Sequence, residues 1–233
     1  MLNPVGRPRR RGQEGLSIVE LMVGVAVGLI ILAGGFVLLS SFTNDNRRLL
    51  QETRLMQDLR AASDLVTRDL RRAGYWSGAA TGVWTDSSTS VSSNAYRFMY
   101  GEECDAASLG TSAATPTSAT SKICYKVNTS SGTELYGFTL ASNTLYAFVG
   151  GTRQALTDPK TITITDFVVT PSSQTIDARS YCHTACTGTN CPRVVVREFE
   201  VLIKGTVPND STIQRSLRSN VRVRNDYYDG ACS

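Results

Sequence analysis

The sequence predicts an α+β protein: one long N-terminal helix, membrane-spanning in its first half and amphipathic in its second, packed on an antiparallel β domain. Three observations carry this reading. Leu21 to Leu39 is a run of 19 residues without a charge or a proline, and at about 1.5 Å per helical residue it is close to the thickness of a bilayer core. Leu55, Leu59, Ala62, Val66, Leu70 and Ala73 then recur at steps of three and four, drawing an apolar stripe down one helix face. Beyond Trp76 the helical period disappears, and short β-type runs alternate with Ser, Thr, Gly and Asn.

The chain begins with a basic stretch, residues 1–15, carrying Arg7, Arg9, Arg10 and Arg11 and closing on Gly15. Glu20 stands at the edge of the apolar run. Pushed toward the bilayer centre, a carboxylate costs about 2.5 to 3.5 kcal/mol, so it asks for a partner. A cut after Gly15 would supply one, because the new amine on Leu16 lies one helical turn from Glu20 and a neighbouring subunit's amine is as easily reached. A secretory signal has a shorter apolar region and a cleavage site beyond it. Here the apolar run is long and the cut falls on its near side. A plain signal anchor leaves Glu20 beside Gly15 without a reason. Four arginines before the span against Arg47 and Arg48 after it place the leader in the cytoplasm, and everything beyond about residue 43 in the periplasm.

The formal charge of +4 overstates the basicity of the mature protein. Without residues 1–15 the chain loses four arginines and one glutamate, leaving 20 basic against 19 acidic residues, net +1. A global attraction to nucleic acid is not supported by that balance. Roughly 160 residues follow the helix, enough for one domain with its own core.

The helix is expected to continue through the stripe to Ala73, 58 residues from Leu16, with Gly74 as its stop. Arg54 with Asp58 and Asp64 with Arg68 are oppositely charged at i,i+4 and suit its wet face. Gly24 and Gly28 form a G-x-x-x-G pair that permits close helix approach in a membrane, and Gly34-Gly35 is the point where the helix is weakest. Strands are expected at Ala95 to Tyr100, Lys122 to Asn128, Leu135 to Leu140, Thr144 to Val149, Thr161 to Val169, Val194 to Lys204 and Ile213 to Val223. Ser142-Asn143 marks a hairpin, and Asp105 to Ser121 reads as a loop.

All six cysteines, Cys104, Cys124, Cys182, Cys186, Cys191 and Cys232, fall after the span. An even number in an oxidising compartment reads as disulfides, with 15 possible full pairings. Cys104 with Cys124 is the preferred pair, since both flank the Ser/Thr/Ala-rich loop. The other four then tie the Cys182 to Cys191 loop to itself and to the tail through Cys232. Cys182, His183, Cys186 and Cys191 also offer metal-type ligands, but their spacing matches no familiar pair of zinc knuckles.

No phosphate loop, dinucleotide fingerprint or nucleophile–base pattern appears, so neither an enzyme nor a cofactor is expected. Arg215, Arg218, Arg222 and Arg224 cluster near the end, and steps 218, 222 and 224 share one strand face. They form either a solvated face or a basic stripe for DNA or a protein. Asp226-Tyr227-Tyr228-Asp229-Gly230 has oxygen ligands and a turn, a weak calcium pattern.

The leader, Gly15, the hydrophobic start at Leu16 and Glu20 as fifth residue of the mature chain resemble the class III signal of type IV prepilins and pseudopilins. Most of that class has Phe or Met where Leu16 stands. The string Arg68-Asp69-Leu70-Arg71-Arg72-Ala73-Gly74-Tyr75-Trp76 and the closing Ser219-Asn220-Val221-Arg222-Val223-Arg224-Asn225 resemble PilW-type minor pilins. J-type pseudopilins of type II secretion are similar in plan.

The resemblance implies a pilin-like fold of three parts: a cleaved leader 1–15, a helix 16–75 whose transmembrane part is about 18–41, and a periplasmic β-rich domain 76–233. It also implies that a prepilin peptidase cuts between Gly15 and Leu16 and that Leu16 is N-methylated, while Glu20 serves subunit assembly. The chain is then expected in the inner membrane and later in a pilus or at the cell surface, with other minor pilins, the major pilin and the pilus assembly machinery as partners. A ligand-binding tip protein, an adhesin or DNA receptor, is the alternative of another class.

Replacing Gly15 with leucine is expected to leave the precursor uncut. Mass spectrometry of the membrane-bound protein should find Leu16 as a methylated terminus in the wild type and an intact leader in the variant.

Overall fold

The computed structural model describes residues 15, 17–79, 99–101, 104, 116–129 and 132–232. The expected leader residues 1–14, Leu16, the start of the first expected strand and most of the Asp105–Ser121 loop lie outside the described residues. Helix α1, Ile18–Arg71, is 54 residues long and runs unbroken through Gly34-Gly35. The chain falls into two units, residues 1–50 and 51–233.

In the first unit, α1 displays Ile18, Leu21, Ile30, Leu38 and Phe42 with more than half of each side chain exposed. Among the described residues α1 is the one helix long and apolar enough to cross a membrane, and none of its apolar window is buried within the chain. An apolar helix surface of this size is unfavourable in water, at about 25 cal/mol per Å², so a non-aqueous surrounding is what the sequence demands.

In the second unit the rest of α1 supplies the core. Leu55, Leu59, Ala62, Val66, Leu70 and Ala73 are all buried, the least of them 3% exposed. Each large side chain on this stripe contributes about 1.5 to 3 kcal/mol by leaving water. The helix ends in a turn at 72–74, where Gly74 takes φ +74°, a left-handed conformation that glycine adopts without a side-chain clash. At the helix end Arg72 pairs with Asp69 at 3.5 Å. Among the described residues Arg54–Asp58 and Asp64–Arg68 do not pair; helix spacing permits such contacts, but exposed side chains gain too little from them to be held in place.

The stripe packs on two antiparallel sheets, and all three share one apolar cluster. The first sheet takes its strands in chain order: β1 (Met99–Tyr100), β2 (Lys122–Thr129), β3 (Gly132–Ala141), β4 (Thr144–Val149) and β5 (Thr152–Ala155). Ser142 and Asn143 at φ +47° and +60° close the β3–β4 hairpin, and Gly150 and Gly151 at +61° and +81° close β4–β5. The second sheet holds β6 (Thr163–Asp177), β7 (Arg193–Val207) and β8 (Asp210–Arg222), and a short β9 (Tyr227–Asp229) pairs with β7 beyond the end of β8. Thr120 and Val169 exchange backbone hydrogen bonds of 3.0 and 2.8 Å, and Asn143 bonds Ile164 by backbone and side chain, linking the sheets.

Two strands escape the sequence pattern. β5 is exposed at all four residues and β9 has three, so neither carries an apolar alternation. β6 also runs eight residues past its expected end, because Thr170 to Asp177 gains its ladder from β7 rather than from an apolar face of its own.

Cys104 is bonded to Cys124, Cys182 to Cys232 and Cys186 to Cys191. The first bridge sits in a separate small core with Tyr100 and Leu135 on the far face of the first sheet. Gly137 lies opposite Cys124 in the β2–β3 register. A Cβ there would collide with Cys104 Sγ and the Ile123 carbonyl, so this bridge requires a glycine in the middle of a strand.

The loops closed by the three bridges predict an order of stability. Their separations are 50 residues for Cys182–Cys232, 20 for Cys104–Cys124 and 5 for Cys186–Cys191, which by loop entropy correspond to about 4, 3 and 2 kcal/mol. Paired Cys→Ser variants unfolded in denaturant should lose stability in that order.

Candidate functional site

Two regions have the character of interaction sites, one in each unit. At the start of the chain's helix, Glu20 occupies the first turn of α1, whose opening bond runs from Leu21 N–H to Ser17 O at 3.1 Å. A carboxylate is favourable there because it faces the positive end of the helix dipole. Glu20 is exposed among exposed apolar side chains and has no ion-pair partner among the described residues. Gly15 is exposed, and an added Cβ would meet nothing within 4 Å. Leu16 is outside the described residues. The arrangement offers one acceptor group on an otherwise apolar rod.

In the second unit β8 and the residues just after it clamp the helix. Arg215 Nη2 donates to Glu52 Oε2 at 2.6 Å, and Ser63 and Ser219 share a 2.8 Å hydrogen bond between hydroxyls. At the helix end, Arg224 N–H donates to Arg71 O at 2.8 Å and Asn225 Nδ2 to Ala73 O at 3.0 Å. These bonds occupy carbonyls that a helix C-terminus leaves unsatisfied.

Of the two readings of the arginines at 215–224, the solvated face holds for Arg218 and Arg222, which stay exposed. Arg215 pairs with Glu52, Arg218 with Glu200 at 2.5 Å and Arg222 with Asp226 at 2.8 Å. Arg224 alone of the four keeps a guanidinium without a carboxylate partner among the described residues. Residue parity held the signal: odd positions of β8 turn to the helix, as the burial of Ile213 and Val221 shows, and Glu52 sits one turn before Leu55 on the buried face.

The weak calcium pattern does not gather into a site among the described residues. Tyr227–Asp229 is strand rather than loop, Asp226 is held by Arg222, and Asp229 Oδ2 accepts from Arg193. Cys182, Cys186 and Cys191 are consumed in disulfides and His183 is exposed. Among the described residues no group of three metal-type ligands comes together.

Sequence reasoning did not anticipate the groove where α1 ends. It has a volume of about 900 Å³, and its apolar lining comes from Leu65, Ala147 and Val149. Tyr136 and Val223 also line it, with arginines from the last turns of α1 and from the end of β8 and beyond, and one carboxylate, Asp69, which pairs with Arg72. Arg72 lies 4.7 Å over the ring of Tyr136, a favourable cation–π arrangement. Tyr136 donates to Glu134 Oε2 at 2.5 Å, which holds its phenol above the ordinary range. Tyr125 stacks on Tyr136 with ring centroids 6.1 Å apart. Burial pushes the Tyr125 phenol up strongly; its hydroxyl lies beside Asp69 and Arg72 without hydrogen-bond geometry to either.

Comparison with curated proteins and with solved structures gives no match. A family model does match: that of prepilin peptidase-dependent protein B, over residues 48–223. The matched span runs from the second half of α1 to just past β8, and so contains the buried stripe, the first sheet and strands β6 to β8 of the second. It covers well over half of the 233 residues, and the chain accordingly belongs to the prepilin peptidase-dependent protein B family.

Proposed function

We propose that this protein is a minor pilin of a type IV pilus, a structural and non-enzymatic assembly factor that joins other minor pilins in a priming or tip complex. The observation that carries the reading is the division of α1: an exposed apolar first half bearing Glu20, and a second half built into the folded domain. Family membership supports processing by a prepilin peptidase, for which Gly15 and Leu16 are the residues. The mature protein would wait in the inner membrane with its domain in the periplasm, anchored by residues 18–41, until a filament with the major pilin extracts it.

In this reading Glu20 neutralises the N-methylated amine of a neighbouring subunit's first residue. At about 4 Å and an effective dielectric near 20, such a pair is worth about 4 kcal/mol. That exceeds the 2.5 to 3.5 kcal/mol or so that a lone carboxylate costs near the bilayer centre, so the charge is unfavourable in the isolated subunit and favourable in the assembly. The neutralised arginines of β8 weigh against a DNA receptor.

Glu20→Ala is expected to remain cleaved and at least as well anchored as the wild type, yet to lose co-purification with other minor pilins and to fail to restore piliation in a strain lacking this protein. Glu20→Gln keeps the shape without the charge and should be equally defective. Full piliation by both variants would remove the carboxylate from assembly.

A further inference from the structure

We propose that the groove at the end of α1 binds an acidic, aliphatic segment of a neighbouring subunit, with carboxylates on its arginines and an apolar side chain against Val149. The proposal rests on the assembly reading for the identity of the occupant. Its physical basis is an excess of unneutralised charge over an apolar lining. Arg68, Arg71 and Arg224 all line the groove and have no carboxylate partner among the described residues. Arg72 and Arg222 in the same groove are paired, with Asp69 and Asp226, and elsewhere on the domain Arg193 and Arg218 are paired within the chain.

Arginines in a last helical turn are favourable toward the helix dipole and often bond its free carbonyls. Here that role is already filled. The carbonyls of Arg71 and Ala73 accept from Arg224 N–H and Asn225 Nδ2, which leaves the guanidiniums directed to other acceptors. A planar guanidinium binds a carboxylate through two parallel bonds, so three of them favour a peptide with several acidic side chains. Val149 is 42% exposed in the same groove, an apolar contact that a phosphate backbone would leave unused. A cavity of about 900 Å³ admits a few side chains and not a duplex.

The test uses the full chain in detergent, titrated with a peptide alternating Glu and Leu and with its Gln–Leu counterpart. The Glu–Leu peptide should bind and the Gln–Leu peptide should not. The triple variant Arg68→Gln, Arg71→Gln, Arg224→Gln should weaken binding at least tenfold with an unchanged melting temperature, and Val149→Asn severalfold. Arg179→Gln, which loses only a pair with Asp177, should bind like the wild type. If the triple variant melts early, Arg224→Gln alone should still weaken binding threefold or more. Equal binding by the arginine variants, or by the uncharged peptide, would overturn the proposal. So would tighter binding of duplex DNA or inorganic polyphosphate, which would make the groove a phosphate site, or self-association abolished by the triple variant, which would make the occupant a second copy. Glu20→Gln should bind the peptide normally, so failure here leaves the assembly role of Glu20 standing, and the reverse.

Discussion

The buried stripe from Leu55 to Ala73 is the contact on which the folded unit depends. Both sheets direct their apolar faces to it, and Ile123, Tyr125, Phe138, Phe167, Phe199 and Ile203 join it in a single cluster. Neither sheet is closed, so each would expose an apolar face without the helix. The stripe also explains why α1 is a helix at all in this region. Propensity alone leaves a long isolated helix marginal in water, whereas one buried face supplies several side chains at about 1.5 to 3 kcal/mol each.

The polar contacts of β8 act on this arrangement differently. Glu52–Arg215 is partly exposed, with 24% and 41% of the side chains open to solvent, and such pairs add at most about 1 kcal/mol. Their value is in register. Sliding β8 by one residue would turn Ser219, Arg215, Ile213 and Val221 away from the helix together. The hydroxyl pair Ser63–Ser219 is costly to misplace because Ser63 is buried. The same strand edge that fixes the helix therefore leads directly into Arg224 and Asn225 at the helix end.

Much of this fold was legible in the residues. The helical stripe, its glycine stop and the strands β2, β4, β7 and β8 are expressed in spacing and β-branched content, which act locally. The pairing of Cys104 with Cys124 followed from the runs that flank them. What escaped was set by contacts distant in sequence. β5 and β9 are strands because a neighbour offers a ladder, and their own side chains carry little pattern. That Arg215, Arg218 and Arg222 are paired could not be read from the sequence, since their acidic partners lie on α1, on β7 and past the end of β8. The groove at the helix end has no linear signature either, being assembled from α1, the first sheet and the residues around the end of β8. Glu20 is the opposite case: its isolation in an apolar run is visible at once, and no ion-pair partner for it lies among the described residues.

The glycines of the first half of α1 extend that argument. Gly24, Gly28, Gly34 and Gly35 each cost roughly 1 kcal/mol relative to alanine in a water-exposed helix. An added Cβ at any of the four would meet no atom within 4 Å, so nothing among the described residues requires glycine there. All four also have ordinary helical backbone, with no left-handed φ to justify them. Glycine is common in membrane helices in any case; in the assembly reading, a requirement from outside the chain would account for both facts. Two helices approach closely only where small residues line the contact, and Gly24 and Gly28, one turn apart, provide such a surface. It begins one turn from Glu20, where a neighbouring helix would also have to come near for its amine to reach the carboxylate. Apolar exposure, small residues and a lone acid are thus the features that packing among other helices, as proposed for this end of the chain, would use.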